Sequence, residues 1–280
     1  MNRNKALTEA RLILIGIPVL IWTLLPIYHM VLFALSTKSE AFSGHLWPEH
    51  PTLRNFSTVF REENYFLNHF WGQFLNSVVI AVAVGALTLF VATLAAFSIS
   101  RLKARGGRTV LNCALFTYFI PAAFLAVPMY KAMGLYGLLN HQSALILAMV
   151  TIAAPYAIWV LKQASDKLPF ELDEAARIDG ASPLQLFRLV YLPLIAPSLV
   201  AVGAYAVLLA WNEYLYAFLL LSNDADVTLP VGLGHFLSAD DSPWELLMTA
   251  GLLYSLPPAA MYYACKRYMV SGLTAGAVRS

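Results

Sequence analysis

Six long apolar blocks constrain the fold of this chain more than any other feature of its sequence. A helix needs about 20 mostly apolar residues to cross the hydrocarbon core of a membrane, and the blocks approach or exceed that length. They lack the short alternating segments of a membrane β-barrel. The sequence therefore predicts an all-α integral membrane protein with six transmembrane helices, at Leu12–Leu35, Phe74–Ile99, Val110–Met129, Ala144–Leu161, Pro197–Leu221 and Leu246–Ala264.

The composition agrees with a membrane protein. Of the 280 residues, 59% are hydrophobic and 12% are charged, whereas soluble domains carry about a quarter charged residues. The formal net charge is only +2, and nucleic-acid binding depends on contacts of Lys and Arg with phosphates. We therefore expect membrane lipid, and no nucleic acid, among the partners.

Lysine and arginine residues lie mainly in alternate connections between the blocks. In membrane proteins they concentrate on the cytoplasmic side. If the N-terminus is cytoplasmic, 14 of the 18 fall on the inner side, and the outer four are Lys38, Arg54, Arg61 and Lys131. The sequence therefore predicts that both termini are cytoplasmic.

Two connections on the predicted outer side stand out. Residues 36–73, the outer segment, are rich in aromatic side chains and fit either a small packed cap or a helix on the membrane surface. Residues 222–245 contain four Asp and no basic residue, which suits either a partner surface or a solvated loop. In the outer segment, His45-Leu-Trp-Pro-Glu49-His50 has one residue too many for the zinc pattern H-x-x-E-H. The sequence indicates no third ligand, so no metal site is predicted.

The connection between the fourth and fifth blocks, residues 166–193, encodes two short helices. Pro169 suits the first turn of a helix, where its missing N–H costs no hydrogen bond. Glu171 and Asp173 then place negative charge near the positive end of the helix dipole. Gly180 is predicted to end this helix, because glycine readily adopts the left-handed conformation of a C-terminal cap.

A second helix is predicted directly after this turn. Ser182 is a good N-cap, Pro183 occupies the first helical position, and Gln185 completes a capping box. Pro193 is predicted to end the second helix.

The same connection carries a motif. Glu174-Ala175-Ala176 is followed by Asp179-Gly180-Ala181, then by Phe187 and Leu192-Pro193. This arrangement closely resembles the EAA loop of permeases in binding-protein-dependent (type I) ABC importers. In that family a glycine lies four residues after the second alanine, as here, and an isoleucine is usual where this chain has Val190.

Three further stretches look like the maltose-type carbohydrate branch of that family, whose permeases are MalG-like. They are Trp211-Asn212-Glu213-Tyr214, the stretch 228–233 and the stretch 272–276. Lys266 departs from the pattern, since glutamine is common there. The likeness covers nearly the whole chain and implies the MetI-like fold of an ABC importer permease.

The resemblance implies one transmembrane domain over residues 1–280. Its N-terminal helix and outer segment occupy residues 1–72. A five-helix permease core containing the EAA loop, 166–193, follows at residues 73–268, and a cytoplasmic tail occupies residues 269–280.

The resemblance also implies the function of a permease subunit in an ATP-driven importer of the bacterial cytoplasmic (inner) membrane. Its solute is expected to be a sugar, an oligosaccharide, a polyol or a sugar derivative. Expected partners are a homologous permease that completes the translocation path, a dimer of ATPase subunits, and a periplasmic or lipid-anchored solute-binding protein. The chain is expected to be no enzyme and to bind no cofactor: it has no P-loop motif, and ATP and Mg would belong to the partner ATPase.

Residue roles follow from the same resemblance. The first short helix, within Leu168–Gly180, corresponds to the family's coupling helix, which docks on the ATPase. Contacts of the tail with a partner are expected of Gly272 and Gly276. Coupling to the ATPase is expected of Glu174, Ala175, Ala176, Asp179, Gly180, Phe187, Leu192 and Pro193.

Glu213 is the clearest charged residue within a predicted span, and such residues are costly in lipid. Together with Trp211, Asn212 and Tyr214, it is predicted to line the translocation path, where polar groups would bind sugar hydroxyls and rings would stack. Alternatively, Glu213 pairs with a polar group of the partner permease or reaches the membrane interface. The rival function is a stand-alone ion-coupled secondary transporter or channel, which would more often show several buried charges and needs no docking loop.

Overall fold

The computed structural model describes residues 3–238 and 240–274, which are mostly helical and contain no strand. Short 3₁₀ turns lie at Tyr65–Leu67, Thr117–Phe119 and His235–Ser238, and a π-helical turn lies at Leu186–Tyr191. The α-helices of the described ranges are α1 (Arg3–Leu35), α2 (Arg54–Phe60), α3 (Phe70–Ser100), α4 (Gly107–Phe116), α5 (Ala122–Leu135), α6 (Gln142–Asp166), α7 (Glu171–Ile178), α8 (Pro183–Gln185), α9 (Leu192–Trp211), α10 (Leu215–Leu220), α11 (Leu229–Gly234) and α12 (Trp244–Thr274).

Within these ranges, four stretches are long and apolar enough to cross a membrane. They are the apolar part of α1, a stretch ending with α3, α6, and a stretch from α8 to the end of α9. The bent pair α4 and α5 supplies a fifth candidate. Helix α12 holds the sixth predicted span and has 31 residues, but proline and tyrosine make it less apolar. The all-helical membrane fold is thus confirmed, while the count of six depends on α12.

The apolar part of α1 has no cover from the rest of the described chain. Every side chain from Leu12 to Ile27 is exposed, including Trp22 at 79%. Apolar surface left in water costs about 25 cal/mol per Å². This part of α1 therefore requires lipid or another apolar surface around it.

The third predicted span is not one helix. Helix α4 ends at Phe116 and α5 begins at Ala122, and the two are bent by 110°. Pro121 explains the break, because a proline disfavours the helical conformation of the residue before it, and Ile120 is extended with φ −93° and ψ 119°. The third predicted span, Val110–Met129, is therefore two helices joined by a sharp bend.

The fifth predicted span ends earlier than expected. Helix α9 stops at Trp211, and a break separates it from α10. At the break the Asn212 side chain donates to the Leu208 carbonyl at 2.8 Å, so a side chain competes with the helical backbone pattern. Glu213 then accepts a hydrogen bond from the Tyr216 backbone N–H at 2.8 Å. The predicted helix to Leu221 was wrong, and Glu213 lies between two helices.

The described chain divides into two compact units. One comprises the described residues up to Phe70 together with Gly232–Leu256, and the other comprises Trp71–Val231 with the described residues from Pro257 onward. That the whole chain is one transmembrane domain stays a prediction.

The larger unit is built on close packing between α3, α6 and α9. Small residues, mainly alanines, allow helix backbones to approach in membrane proteins. A Cβ added to Gly85 of α3 would lie 2.6 Å from Val207 of α9, so only glycine fits there without rearrangement. The buried cluster between these helices consists of Ala92, Ala96, Ala157, Leu161 and Val202.

In the smaller unit, the outer segment packs on the end of α1. The Asn55 side chain donates to the carbonyls of Ala34 and Ser36 at 3.0 and 2.8 Å. The bond to Ala34 satisfies a carbonyl that the end of α1 leaves without a partner, and the bond to Ser36 holds the residue that follows the helix. The rings of Phe66 and Phe236 lie 4.7 Å apart. The structure favours the packed cap among the two alternatives for this segment.

Candidate functional site

The EAA loop begins with α7, and local sequence signals explain both ends of this helix. Gly180 has φ +82°, the left-handed conformation that glycine adopts without a steric penalty. The N–H of Ala181 donates to the Ala176 carbonyl at 2.9 Å, and the N–H of Gly180 donates to the Arg177 carbonyl at 3.0 Å. This pair of bonds is a Schellman cap, so the predicted stop is confirmed. Pro169 lies just before the helix rather than in its first turn.

The second helix also starts as predicted. The Ser182 hydroxyl accepts from the Gln185 N–H at 3.3 Å, and the Gln185 side chain accepts from the Ser182 N–H at 2.8 Å. Pro193 does not end this helix, because a π-helical turn joins α8 to α9 and Pro193 falls in the first turn of α9. Pro193 therefore lies directly after the π-helical turn, where the regular hydrogen-bond pattern of the α-helix is interrupted.

The predicted coupling residues divide into a half-buried group and an exposed group. Phe187, Leu192 and Ala176 are half-buried and pack against a buried cluster that includes Phe97 and Tyr191. The exposed group consists of Glu174, Ala175, Asp179, Gly180 and Pro193.

Large apolar side chains extend the exposed side of the loop. Ile178 is 86% exposed, Leu189 72% and Leu184 64%. The loop therefore presents carboxylates beside an apolar surface, a combination suited to contact with another protein.

A buried ion pair, missed from the sequence, fixes α7 to the rest of the larger unit. Arg101 follows α3 directly, and its guanidinium lies 3.5 Å from the Asp173 carboxylate in α7, with the two side chains 2% and 9% exposed. The same guanidinium donates to the carbonyls of Ser165 and Leu168 at 3.1 Å. It also lies 4.8 Å from the centre of the Phe170 ring, within the range of a cation–π contact.

A second set of contacts joins the π-helical turn to α3 and α6. The hydroxyls of Ser165 and Tyr191 lie 2.6 Å apart, and both residues are buried. The Phe97 ring contacts the rings of Phe187 and Tyr191, with centres 5.0 and 4.9 Å apart. The C-terminal ends of α3 and α6 therefore hold both short helices of the loop in place.

The four predicted path residues make separate contacts within the chain, and their place in a translocation path stays a prediction. Trp211 is 5% exposed and borders an apolar cavity of about 180 Å³ that Val78, Val207 and Pro257 also line. Asn212 and Glu213 bond to backbone groups at the helix break, and Tyr214 stacks on Phe218 at 5.8 Å. Of the predicted tail residues, Gly272 lies in α12 and Gly276 lies outside the described residues.

Comparison with known proteins decides the family. A family profile described as "Binding-protein-dependent transport system inner membrane component" matches residues 88–273. The chain belongs to this family. The match contains the EAA loop, Arg101 and the break at Asn212, and the resemblance inferred from the sequence is confirmed.

Individual members of the family match along nearly their full length. The inner membrane ABC transporter permease YcjP of Escherichia coli is 36% identical over 263 residues, covering 93% of this chain and 92% of that protein. The trehalose/maltose permease MalG of Thermococcus litoralis is 30% identical and covers 99% of both. The trehalose permease SugB of Mycobacterium tuberculosis is 30% identical, covering 92% and 93%.

A solved structure supports the fold. A chain of a bacterial ABC transporter involved in alginate import superposes with a TM-score of 0.79, covering 96% of this chain and 98% of the other. Sequence identity between the two is 21%.

Proposed function

We propose that this chain is the membrane permease subunit of an ATP-driven importer for a carbohydrate-type solute. The observation that carries the proposal is the EAA loop, whose exposed side is held in place by the buried Arg101–Asp173 pair. Relatives are named for trehalose, trehalose and maltose, lactose, arabinooligosaccharides and sulfoquinovosyl glycerol. These solutes share ring hydroxyls, so the substrate class is a sugar, an oligosaccharide or a sugar derivative.

The complete transporter would contain three kinds of partner protein. A homologous permease would cover the exposed apolar helices and form the translocation path with them. A dimer of ATPase subunits would bind the exposed side of the EAA loop from the cytoplasm and supply the ATP and Mg sites. A solute-binding protein would dock on the predicted outer side; the alginate transporter has been solved together with its pentasaccharide-bound periplasmic protein.

The loop contacts suggest how movement passes into the membrane. Arg101 and Tyr191 tie α7 and the π-helical turn to the inner ends of α3 and α6. Because packed interiors deform little, a displacement of α7 by the ATPase would move these helix ends with it. The exposed carboxylate of Glu174 and the turn at Gly180 would contact the ATPase directly.

The rival function, an ion-coupled transporter working alone, has less support. Glu213 would be its first candidate for ion coupling, but its carboxylate is engaged in starting α10. An ion-coupled transporter also has no need for an exposed cytoplasmic docking surface.

Gly180→Leu tests the proposal, with Gly137→Leu as a matched control. Both glycines have positive φ, +82° and +67°, and a Cβ at either would meet no atom within 4 Å. The backbone strain of the two variants is therefore similar, about 1–2 kcal/mol. We expect Gly180→Leu to abolish most ATP-driven sugar uptake in proteoliposomes containing the co-purified complex, and Gly137→Leu to retain it.

Two results would contradict the proposal. One is uptake in the Gly180→Leu variant equal to that of the Gly137→Leu variant. The other is solute uptake by the purified chain alone in vesicles without ATP.

A further inference from the structure

The outer segment folds so that three potential metal ligands meet. Glu40, Glu49 and His50 each offer one ligand atom, and these atoms all lie within 4.8 Å of one another. The closest contact joins His50 Nδ1 to Glu40 Oε1 at 2.8 Å. Glu40 is the third ligand that the sequence pattern around His45 did not reveal, since it lies outside that pattern.

A second histidine lies beside one of the three. His45 Nε2 is 3.4 Å from Glu49 Oε1. Gly44, with φ +79°, forms part of the turn that brings residues 45–50 back toward Glu40. One imidazole and two carboxylates therefore surround one point of the outer segment, and His45 lies at its edge, beside Glu49.

Glu40 has a second feature that suits a cation ligand. Its Oε2 atom is shielded from solvent and has no hydrogen-bond partner among the described residues. The Glu40 side chain is 18% exposed, whereas that of His50 is 80% exposed. A shielded carboxylate oxygen without a donor is costly, and a bound cation would satisfy it.

We propose that Glu40, Glu49 and His50 form a binding site for a zinc ion. Zinc takes four ligands in a tetrahedron, with Zn–N and Zn–O distances near 2 Å, which places neighbouring ligand atoms about 3.3 Å apart. Three ligands would come from the chain and the fourth from water. The closest pair of the cluster, at 2.8 Å, and the limit of 4.8 Å on its other pairs bracket that separation. Imidazole ligands favour zinc over calcium and magnesium, which prefer oxygen.

The bound ion would link the two ends of the loop 40–50. Two carboxylates would balance its charge. Because the ion would hold three side chains at fixed distances, it would stiffen the part of the outer segment that follows α1.

Metal titration of the full chain, purified with its partners and stripped of metal and affinity tag, tests the site. We expect one Zn²⁺ per chain by calorimetry. Co²⁺ used as a probe should give the visible absorption of a tetrahedral site. His50→Asn and Glu40→Gln should each weaken Zn²⁺ binding at least about tenfold, which corresponds to 1.4 kcal/mol.

His69→Asn is the matched control, because His69 is an exposed histidine of the same outer segment outside the cluster. It should bind Zn²⁺ as the unaltered chain does. His50 is so exposed that its replacement leaves folding intact, and assembly with the partners verifies this. The proposal is overturned if the unaltered chain binds no Zn²⁺, or if His50→Asn and Glu40→Gln bind it as tightly as His69→Asn.

Discussion

At the scale of single residues, the pairing of Arg101 with Asp173 determines how the EAA loop is held. Each side chain is almost fully buried, and the loss of one partner leaves the other charge without compensation. Such a loss typically costs about 3–5 kcal/mol. A lysine at position 101 would keep the charge but lose both the planar fork and the stacking on Phe170.

Arg101→Ala should therefore lower the thermal unfolding midpoint of the assembled complex and reduce ATP-driven uptake, and Arg101→Lys should restore only part of each. Arg105→Ala is the control, since Arg105 is an exposed arginine of the same connection. If Arg101→Ala and Arg105→Ala behaved alike in both assays, the pair would not hold the loop.

The sequence could not reveal this pair. Arg101 counted only as one of many positive charges on the predicted inner side, and Asp173 only as a favourable charge near a helix N-terminus. Nothing in the local pattern of either residue indicates a contact between positions so far apart in the chain. The same limitation applied to Glu40, whose contact with His50 depends on the turn between them.

At the scale of helices, local sequence signals predicted where short helices begin and end. The length of an apolar block did not predict where a span divides into two helices. The cap at Gly180 and the capping box at Ser182 involve residues within one or two turns, so the sequence predicted both. The breaks at Pro121 and Asn212 lie inside continuous apolar stretches. Hydropathy reports what a segment can bury, but it does not report the backbone conformation within that segment.

The capping box offers a measurement at this scale. Ser182→Ala removes the side-chain acceptor for the Gln185 N–H, and the loss of an N-cap costs about 0.5–2 kcal/mol. We expect faster amide hydrogen exchange over residues 183–187, and Ser182→Asp should restore protection because aspartate is also a good N-cap. Equal exchange in Ser182→Ala and the unaltered chain would show that α8 does not depend on this cap.

At the scale of the whole molecule, the membrane fold and the family were predictable because both depend on features spread along the chain. Apolar blocks as long as α1 and α6 allow few folds, and the EAA loop lies within the family match at residues 88–273. The orientation of the chain in the membrane was predicted from the uneven distribution of Lys and Arg, and it requires its own experiment.

Labelling of single cysteines determines the orientation. With Cys113 and Cys265 replaced by serine, cysteine is introduced at Asn68 of the outer segment or at Arg105 after α3, both exposed positions. The charge distribution places Asn68 outside and Arg105 inside. A membrane-impermeant maleimide should therefore label Asn68→Cys in intact cells and label Arg105→Cys only after the membrane is opened. The reverse pattern would place the EAA loop outside the cell, away from ATP, and would exclude its coupling to a cytoplasmic ATPase.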